Sequence, residues 1–133
     1  MNNKIDGIEE ILRKEILCHG GISLANYMNI CLTHHKHGYY MRNNPIGVAG
    51  DFTTSPEISQ MFGELIGLWI AQTWIDHQKP RKFSLVELGP GNGTLMADIL
   101  RVTKRVEGLH SALDITLIEI SPSLQEVQKE ILT

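Results

Sequence analysis

The C-terminal part of the chain has a strand, a turn, a helix and a second strand in sequence order, and this order limits the fold more than any other feature. Phe83 to Leu88 and Asp114 to Ile120 are short apolar runs, and Leu95 to about Val106 has helical spacing. Two strands with a crossover of this length are expected to be neighbouring, parallel and connected in the right-handed sense. We therefore predict an α/β domain that begins at residue 81 with a βαβ unit and includes residues 81–133.

The N-terminal part, residues 1–80, is predicted to be a helical region with one long loop. Apolar residues recur at helical spacing from Ile5 to Ile16, and Ser23 is placed to cap a second helix. The stretch from Thr33 to Thr54 has no periodicity, which predicts a long loop with a short hairpin around Asn43-Asn44-Pro45. Loops of this length inside compact domains are often functional.

A third helix is predicted to begin at the residues TTSPE, and two registers fit. Either Ser55 caps the helix with Pro56 at the first helical position, or Thr54 caps it while Glu57 completes a capping box. The helix is expected to extend to about Ile75, before the residues HQKP end it. Its aromatic side chains share an apolar stripe, which predicts core packing for Phe62, Trp69 and Trp74.

Charge and composition argue against several functions. The chain has 133 residues and a net charge of −3, and no basic run could follow a phosphate backbone, so we predict no nucleic-acid binding. The longest apolar stretch, Leu65 to Ile70, is far shorter than the ~20 residues that span a bilayer, so no membrane insertion is predicted. Acidic residues near the N-terminus argue against a signal or transit peptide and favour a cytoplasmic protein. Several histidines lack an accompanying set of carboxylates or cysteines, so no metal site is predicted at His19, His34, His35 and His37.

The sequence VELGPGNGTL has glycines at alternate positions, Gly89, Gly91 and Gly93. A strand that ends in such a turn and leads into a helix is typical of sites where a ligand lies against the main chain and free N–H groups. The sequence argues against a nucleoside triphosphate loop, because no lysine occurs between Lys82 and Lys104. A dinucleotide fingerprint needs its third glycine one residue later, so that match is weak.

Glu87 changes the class of ligand that this turn favours. At ~6 Å and an effective dielectric of ~20, a carboxylate interacts with a unit charge by roughly 3 kcal/mol, so Glu87 would repel a pyrophosphate and attract a cation. S-adenosylmethionine has a sulfonium, an α-ammonium and a ribose diol, and Glu119 at the end of the second strand could accept both ribose hydroxyls. These residues predict a methyl-donor site, although a glycine turn that only joins a strand to a helix remains an alternative.

Two longer segments carry a resemblance to a known family. GDFTTSPEISQMFGELIGLW, from Gly50 to Trp69, and VELGPGNGTLMADILR, from Val86 to Arg101, resemble the MidA family of S-adenosylmethionine-dependent methyltransferases. SLANYMNICLTH and HGYY resemble the N-terminal region of the same family. The resemblance implies a Rossmann-like class I methyltransferase fold that binds S-adenosyl-L-methionine. Residue 92 is Asn, where arginine is expected in many relatives, and its side chain is expected to be exposed and to adjust cofactor affinity.

The family also implies a substrate class, since its mitochondrial relatives act as complex I assembly factors and protein arginine methyltransferases. The resemblance therefore implies a protein substrate, with a subunit of respiratory complex I as the candidate, and a mitochondrial matrix location for the eukaryotic relatives. It places the GDFTTSPE segment near cofactor and substrate, so the expected active-site rim consists of Asp51, Thr54, Ser55 and Glu57. An arginine guanidinium would suit the carboxylate of Asp51 or Glu57.

The chain is shorter than the resemblance leads us to expect, because family members have a seven-stranded sheet. Ser121 and Pro122 begin a helix whose apolar positions are still in phase at Ile131, so we expect a fold that is truncated after its first βαβ unit.

Two functions from other classes remain open. The chain could be a non-catalytic assembly fragment that keeps the fold, or a dinucleotide-binding oxidoreductase.

Overall fold

A computed structural model describes residues 7–42, 45–47 and 50–133. The chain divides into two compact units, Met1–Asn44 and Pro45–Thr133. From the sequence we predicted a different boundary, after residue 80. That division into domains stays a prediction.

The described residues of the first unit form three helices: α1 (Gly7–His19), α2 (Leu24–Thr33) and α3 (Tyr39–Arg42). The predicted cap of α2 is confirmed, because Ser23 Oγ accepts a hydrogen bond from the main-chain N–H of Asn26 at 3.2 Å. The short helix α3 lies in the stretch that the sequence predicted as a loop, and it follows a turn in which Gly38 N–H donates to the carbonyl of His34 at 2.7 Å. The predicted hairpin at positions 43–45 includes residues outside the described part of the chain.

The predicted third helix is divided in two at Ser59. Helix α4 (Ser55–Ile58) ends where Ser59 adopts an extended conformation, φ −150° and ψ 119°, and α5 (Gln60–Asp76) begins directly after it. Thr54 is the N-cap by position, but its side chain makes no capping bond. The capping box does not form, because the carboxylate of Glu57 accepts a hydrogen bond from Thr94 instead.

The second unit contains the predicted βαβ arrangement. Strands β1 (Phe83–Leu88) and β2 (Leu113–Ile118) pair in parallel, in register from Phe83 opposite Leu113 to Leu88 opposite Ile118. The remaining elements of this unit are α6 (Thr94–Thr103), α7 (Leu109–Ala112) and α8 (Pro122–Leu132). This parallel pair confirms the predicted α/β class, and β2 ends two residues before the predicted end at Ile120.

The core of this unit forms where α5 meets α7 and the start of the strands. Trp74 is 3% exposed and packs with Ala71, Leu109 and Ala112, while its indole N–H donates to the carbonyl of Pro80 at 3.0 Å. Core packing was wrongly predicted for Trp69 and Phe62, which are 66% and 41% exposed. Because α5 is apolar on nearly every face, periodicity alone could not select the face that becomes buried.

Helix α5 packs closely on α6 through glycines. A Cβ at Gly63 would lie 2.5 Å from Cβ of Asp98, and a Cβ at Gly67 would lie 2.4 Å from Cγ1 of Val102. Arg101 donates to both Glu64 and Asp98 at 2.6 Å, which joins the two helices at their exposed edge. In the part of the chain that the structure describes, none of the helices has the length and apolar character needed to cross a membrane.

We expect Gly67→Ala to destabilise the chain by about 1–3 kcal/mol, because overpacking outweighs the higher helix propensity of alanine. The added methyl group would also lie 3.1 Å from Cα of Ile99, which is main chain and cannot rotate away. Urea unfolding followed by circular dichroism measures the change. Gly21→Ala is the control, since no described atom lies within 4 Å of its Cβ position. A Gly67→Ala variant as stable as the unaltered chain would contradict this account of the helix contact.

Candidate functional site

The glycine loop connects the end of β1 to the start of α6 and has an unusual backbone. Gly89, Gly91 and Gly93 have φ values of +63°, +57° and +82°, in the region that side chains disfavour. The N–H of Gly89 donates to the carbonyl of Ile118 at 2.9 Å, so the loop begins beside the end of β2. This backbone turns the chain sharply and directs it into α6 within five residues.

The three glycines differ in their surroundings. No described atom lies within 4 Å of a Cβ position at Gly89, whereas a Cβ at Gly91 would lie 2.8 Å from Cδ1 of Ile46. A Cβ at Gly93 would lie 3.3 Å from Cγ of Gln128. A ligand can therefore approach the main chain closely at Gly89. At Gly91 and Gly93, the missing side chains allow other parts of the chain to pack against the loop.

Glu87 lies at the end of β1, half-buried, and next to this loop. Burial raises the pKa of its carboxyl group above the ordinary value. Its Oε2 atom is buried and has no hydrogen-bond partner among the described residues. An unpaired buried carboxylate oxygen is unfavourable, and a cationic or hydrogen-bond-donating ligand would relieve this. The S-adenosylmethionine ammonium group fits this requirement, and a pyrophosphate does not.

The GDFTTSPE segment is joined directly to the glycine loop. Thr94 Oγ1 donates to Glu57 Oε1 at 2.7 Å, and Asn92 Nδ2 lies 3.3 Å from the same oxygen and 3.3 Å from the carbonyl of Ile46. Asn92 is half-buried, so the expectation of an exposed side chain there was wrong. Asparagine at this position links the two segments through both contacts.

The first residues of the same segment have a structural role that capping could not explain. Phe52 N–H donates to the carbonyl of Pro45, and the carbonyl of Phe52 accepts from Gly47 N–H, both at 2.9 Å. A Cβ at Gly50 would lie 2.4 Å from the carbonyl carbon of Pro45. These contacts hold the segment against residues 45–47, and Ile46 in turn packs on Gly91.

A cavity of about 340 Å³ lies between the two segments, within the size range of small-molecule sites. Its lining brings together three of the predicted rim residues, Thr54, Ser55 and Glu57, with the predicted cofactor residues Glu87, Gly89 and Gly91. The other predicted residues, Asp51, Gly93 and Glu119, lie outside this lining. Asp51 is exposed.

Glu119 follows β2 and is half-buried beside the loop. Its Oε1 accepts a hydrogen bond from the main-chain N–H of Ser121 at 2.8 Å. Gln128, from α8, donates to the carbonyl of Gly91 at 2.7 Å and lies 3.5 Å from Glu119 Oε2. Sequence reasoning missed Gln128, although it follows Leu124 by one helical turn on the buried face of α8, where a glutamine is unusual.

The histidine-rich stretch forms ring contacts. The ring centroids of His34 and His35 are 4.5 Å apart, and those of His34 and His37 are 5.3 Å apart. Among residues 7–42, 45–47 and 50–133, no group of three or more histidine, cysteine, aspartate or glutamate side chains is arranged to hold a metal ion.

Comparison with known proteins identifies relatives along nearly the whole chain. The family model of S-adenosyl-L-methionine-dependent methyltransferases named Methyltransf_28 matches residues 65–133. "Protein arginine methyltransferase NDUFAF7, mitochondrial" of Danio rerio is 48% identical over 124 residues, which is 92% of this chain and 29% of the relative. The protein of the same name from Homo sapiens is 47% identical over 116 residues, 86% of this chain and 26% of the relative. The chain thus spans less than a third of the length of these relatives.

A solved structure agrees in fold. A crystal structure of a COG1565 superfamily member from Burkholderia thailandensis, bound to S-adenosyl-homocysteine, superposes with a TM-score of 0.78 and 29% identity. The match covers 94% of this chain and 33% of that one.

The fold and the site together define part of a Rossmann-like methyltransferase, with an acid and a glycine loop at the carboxyl end of its first strand. The chain belongs to the family of S-adenosyl-L-methionine-dependent methyltransferases. This confirms the family, fold class and cofactor class that the sequence resemblance implied.

We expect Glu87→Gln to raise the free energy of unfolding at pH 7.5 and to leave it unchanged at pH 4. The folded-state pKa of Glu87 is raised above 4.5, so the folded chain holds its proton more tightly than the unfolded chain does. The stability of the unaltered chain therefore falls as pH rises from about 4.5 through the folded pKa, and glutamine removes this effect. Urea unfolding at both pH values measures the difference.

Glu130→Gln, an exposed position on α8, is the control for the loss of one negative charge. If Glu87→Gln and Glu130→Gln had the same pH dependence, burial of Glu87 would not be the cause.

Proposed function

We propose that this chain forms the S-adenosylmethionine-binding segment of a protein arginine methyltransferase. The observation that carries the proposal is the cavity that Glu87 and Gly89 line together with Thr54–Glu57 of the GDFTTSPE segment. Oε2 of Glu87 is buried without a partner among the described residues, and the main chain at Gly89 is open to close approach. The relatives named protein arginine methyltransferases, at 47–48% identity, support the substrate class.

Three of the predicted cofactor residues, Glu87, Gly89 and Glu119, have separate tasks in this proposal. Glu87 pairs with the α-ammonium group and favours the nearby positive sulfur, because its carboxylate is half-buried and its Oε2 lacks a partner in the described chain. Gly89 allows the ligand to approach the main chain, and Glu119 accepts the ribose hydroxyls. When bound, S-adenosylmethionine supplies the methyl group, so the task of the protein is positioning and the exclusion of water.

The substrate is proposed to be an arginine side chain of a protein, and a subunit of respiratory complex I is the candidate that the family resemblance suggests. The relatives used in the comparison are named mitochondrial. For a bacterial chain we propose the cytoplasm as the corresponding compartment. The guanidinium is proposed to approach the carboxylate of Asp51, which is exposed at the start of the GDFTTSPE segment.

Calorimetric titration of the chain tests the cofactor assignment. We expect S-adenosylmethionine and S-adenosylhomocysteine to bind and NAD to give no heat at the same concentrations. Glu87→Gln should weaken S-adenosylmethionine binding about tenfold or more, since ~1.4 kcal/mol of lost charge interaction corresponds to a factor of ten. Glu130→Gln should bind as the unaltered chain does. Binding of NAD without S-adenosylmethionine would instead favour an oxidoreductase.

Two carboxylate variants separate substrate contact from cofactor contact. We expect Asp51→Asn to reduce methyl transfer to an arginine-containing peptide without changing S-adenosylhomocysteine affinity, because Asp51 lies outside the cavity lining. Glu57→Gln should weaken both, because Glu57 lines the cavity and accepts the bond from Thr94. Radiolabelled methyl transfer and calorimetry measure the two effects. Unchanged transfer in both variants would exclude the rim assignment.

One observation favours a second candidate, a non-catalytic assembly segment. The sheet exposes apolar side chains on one face, with Val86 52%, Leu88 75% and Ile118 55% exposed. Parallel sheets are normally covered on both faces, so this surface suits a protein partner. Cofactor binding without any methyl transfer, together with stable complex formation, would favour this candidate.

A further inference from the structure

Gln128 is a polar side chain in an environment where apolar residues are expected. It is 4% exposed, on the face of α8 that also buries Leu124. Its amide nitrogen donates to the main-chain carbonyl of Gly91 at 2.7 Å. A buried carbonyl needs a donor, and α8 supplies it from a residue 37 positions away in the chain.

The same amide nitrogen also faces the acid proposed to bind the ribose. Gln128 Nε2 lies 3.5 Å from Oε2 of Glu119, while Oε1 of Glu119 accepts from Ser121 N–H at 2.8 Å. Both carboxylate oxygens are therefore oriented by groups at or near α8. A carboxylate has about four lone-pair sites, so two of these contacts leave sites for further donors.

The fit of Gln128 against the loop is close. A Cβ at Gly93 would lie 3.3 Å from Cγ and 3.6 Å from Cα of Gln128, so α8 is in van der Waals contact with the loop at this glycine, whose φ of +82° disfavours a side chain. The stem of Gln128 thus contacts one end of the loop while its amide holds the carbonyl of Gly91. A two-donor amide suits this position, because glutamate would place a second acceptor against Gly91 and Glu119.

We propose that Gln128 is a positioning residue that couples the glycine loop to Glu119 and so sets the preference for a ribose with free hydroxyls. This inference rests on the proposed function, in which Glu119 accepts those hydroxyls. Gln128 itself need not touch the ligand. It fixes the carboxylate of Glu119 relative to the carbonyl of Gly91. The distance between the ribose-binding carboxylate and the main chain of the glycine loop therefore stays constant.

The test compares Gln128→Met and Gln128→Glu with the unaltered chain. Methionine keeps the volume of the side chain and removes the hydrogen-bond donors. Glutamate keeps the shape but replaces the N–H donors of the amide with a second acceptor oxygen. The control is Gln125→Ala on the same helix, because the exposed side chain of Gln125 donates to the main-chain carbonyl of Glu119, at 2.7 Å, and not to its carboxylate. Circular dichroism establishes that each variant is folded.

The measured quantity is the ratio of two affinities, determined by calorimetry for S-adenosylhomocysteine and for an analogue that lacks the ribose 2′-hydroxyl. We expect the unaltered chain and Gln125→Ala to prefer the complete ribose about tenfold or more, as for hydrogen bonds to a charged acceptor. Both Gln128 variants should bind S-adenosylhomocysteine at least fivefold more weakly and bring the ratio close to one.

A purely structural role would lower both affinities equally and leave the ratio unchanged, which would overturn this inference while the proposed function stands. Failure of both variants to fold would assign Gln128 to stability alone and would also overturn it. If the unaltered chain bound both compounds equally, Glu119 would not be the ribose acceptor, and the inference would fail while cofactor binding stands. Binding of neither compound would overturn the proposed function together with the inference.

Discussion

The backbone of the glycine loop is the constraint on which the rest of the site depends. Three glycines with positive φ at alternate positions turn the chain from β1 into α6 and leave positions 89, 91 and 93 without side chains. Ile46 packs on Gly91, and Gln128 packs on Gly93. One side of the loop therefore contacts Ile46 and the other contacts α8, while Gly89 stays open. A methyl group at Gly91 would require the end of the Ile46 side chain to shift, and at Gly91 or Gly93 it would also be strained by the positive φ.

Charge decides which ligands this loop can accept. Glu87 is half-buried next to the loop, and its Oε2 has no partner in the described part of the chain. A buried acid of this kind disfavours phosphate and favours an ammonium or sulfonium group. Membership of the S-adenosyl-L-methionine-dependent methyltransferase family agrees with this electrostatic preference.

Much of the fold could be predicted because its signals are local. The first strand was predicted with its observed bounds, Phe83–Leu88, because it is a short apolar run bounded by a proline and a glycine. The cap at Ser23 and the helix that begins at Pro122 were also correct. Helix α5 shows where such signals fail, because it is apolar all round and only packing against α6 decides that Gly67 is buried and Trp69 is exposed. The break at Ser59 was missed because the apolar pattern continues across it.

For the candidate site, the sequence by itself determined the glycine positions, the acid at Glu87 and the order of the strands. These are properties of neighbouring residues, and short-range sterics and hydrophobic spacing express them directly. Only the tertiary structure decided which residues of the site form hydrogen bonds with one another. The bonds from Thr94 to Glu57 and from Gln128 to Gly91 each join residues 37 positions apart, and Asn92 reaches Ile46 across 46 positions. Such contacts depend on how whole elements pack, so no local pattern could predict that Glu57 supports the loop or that Gln128 holds its carbonyl.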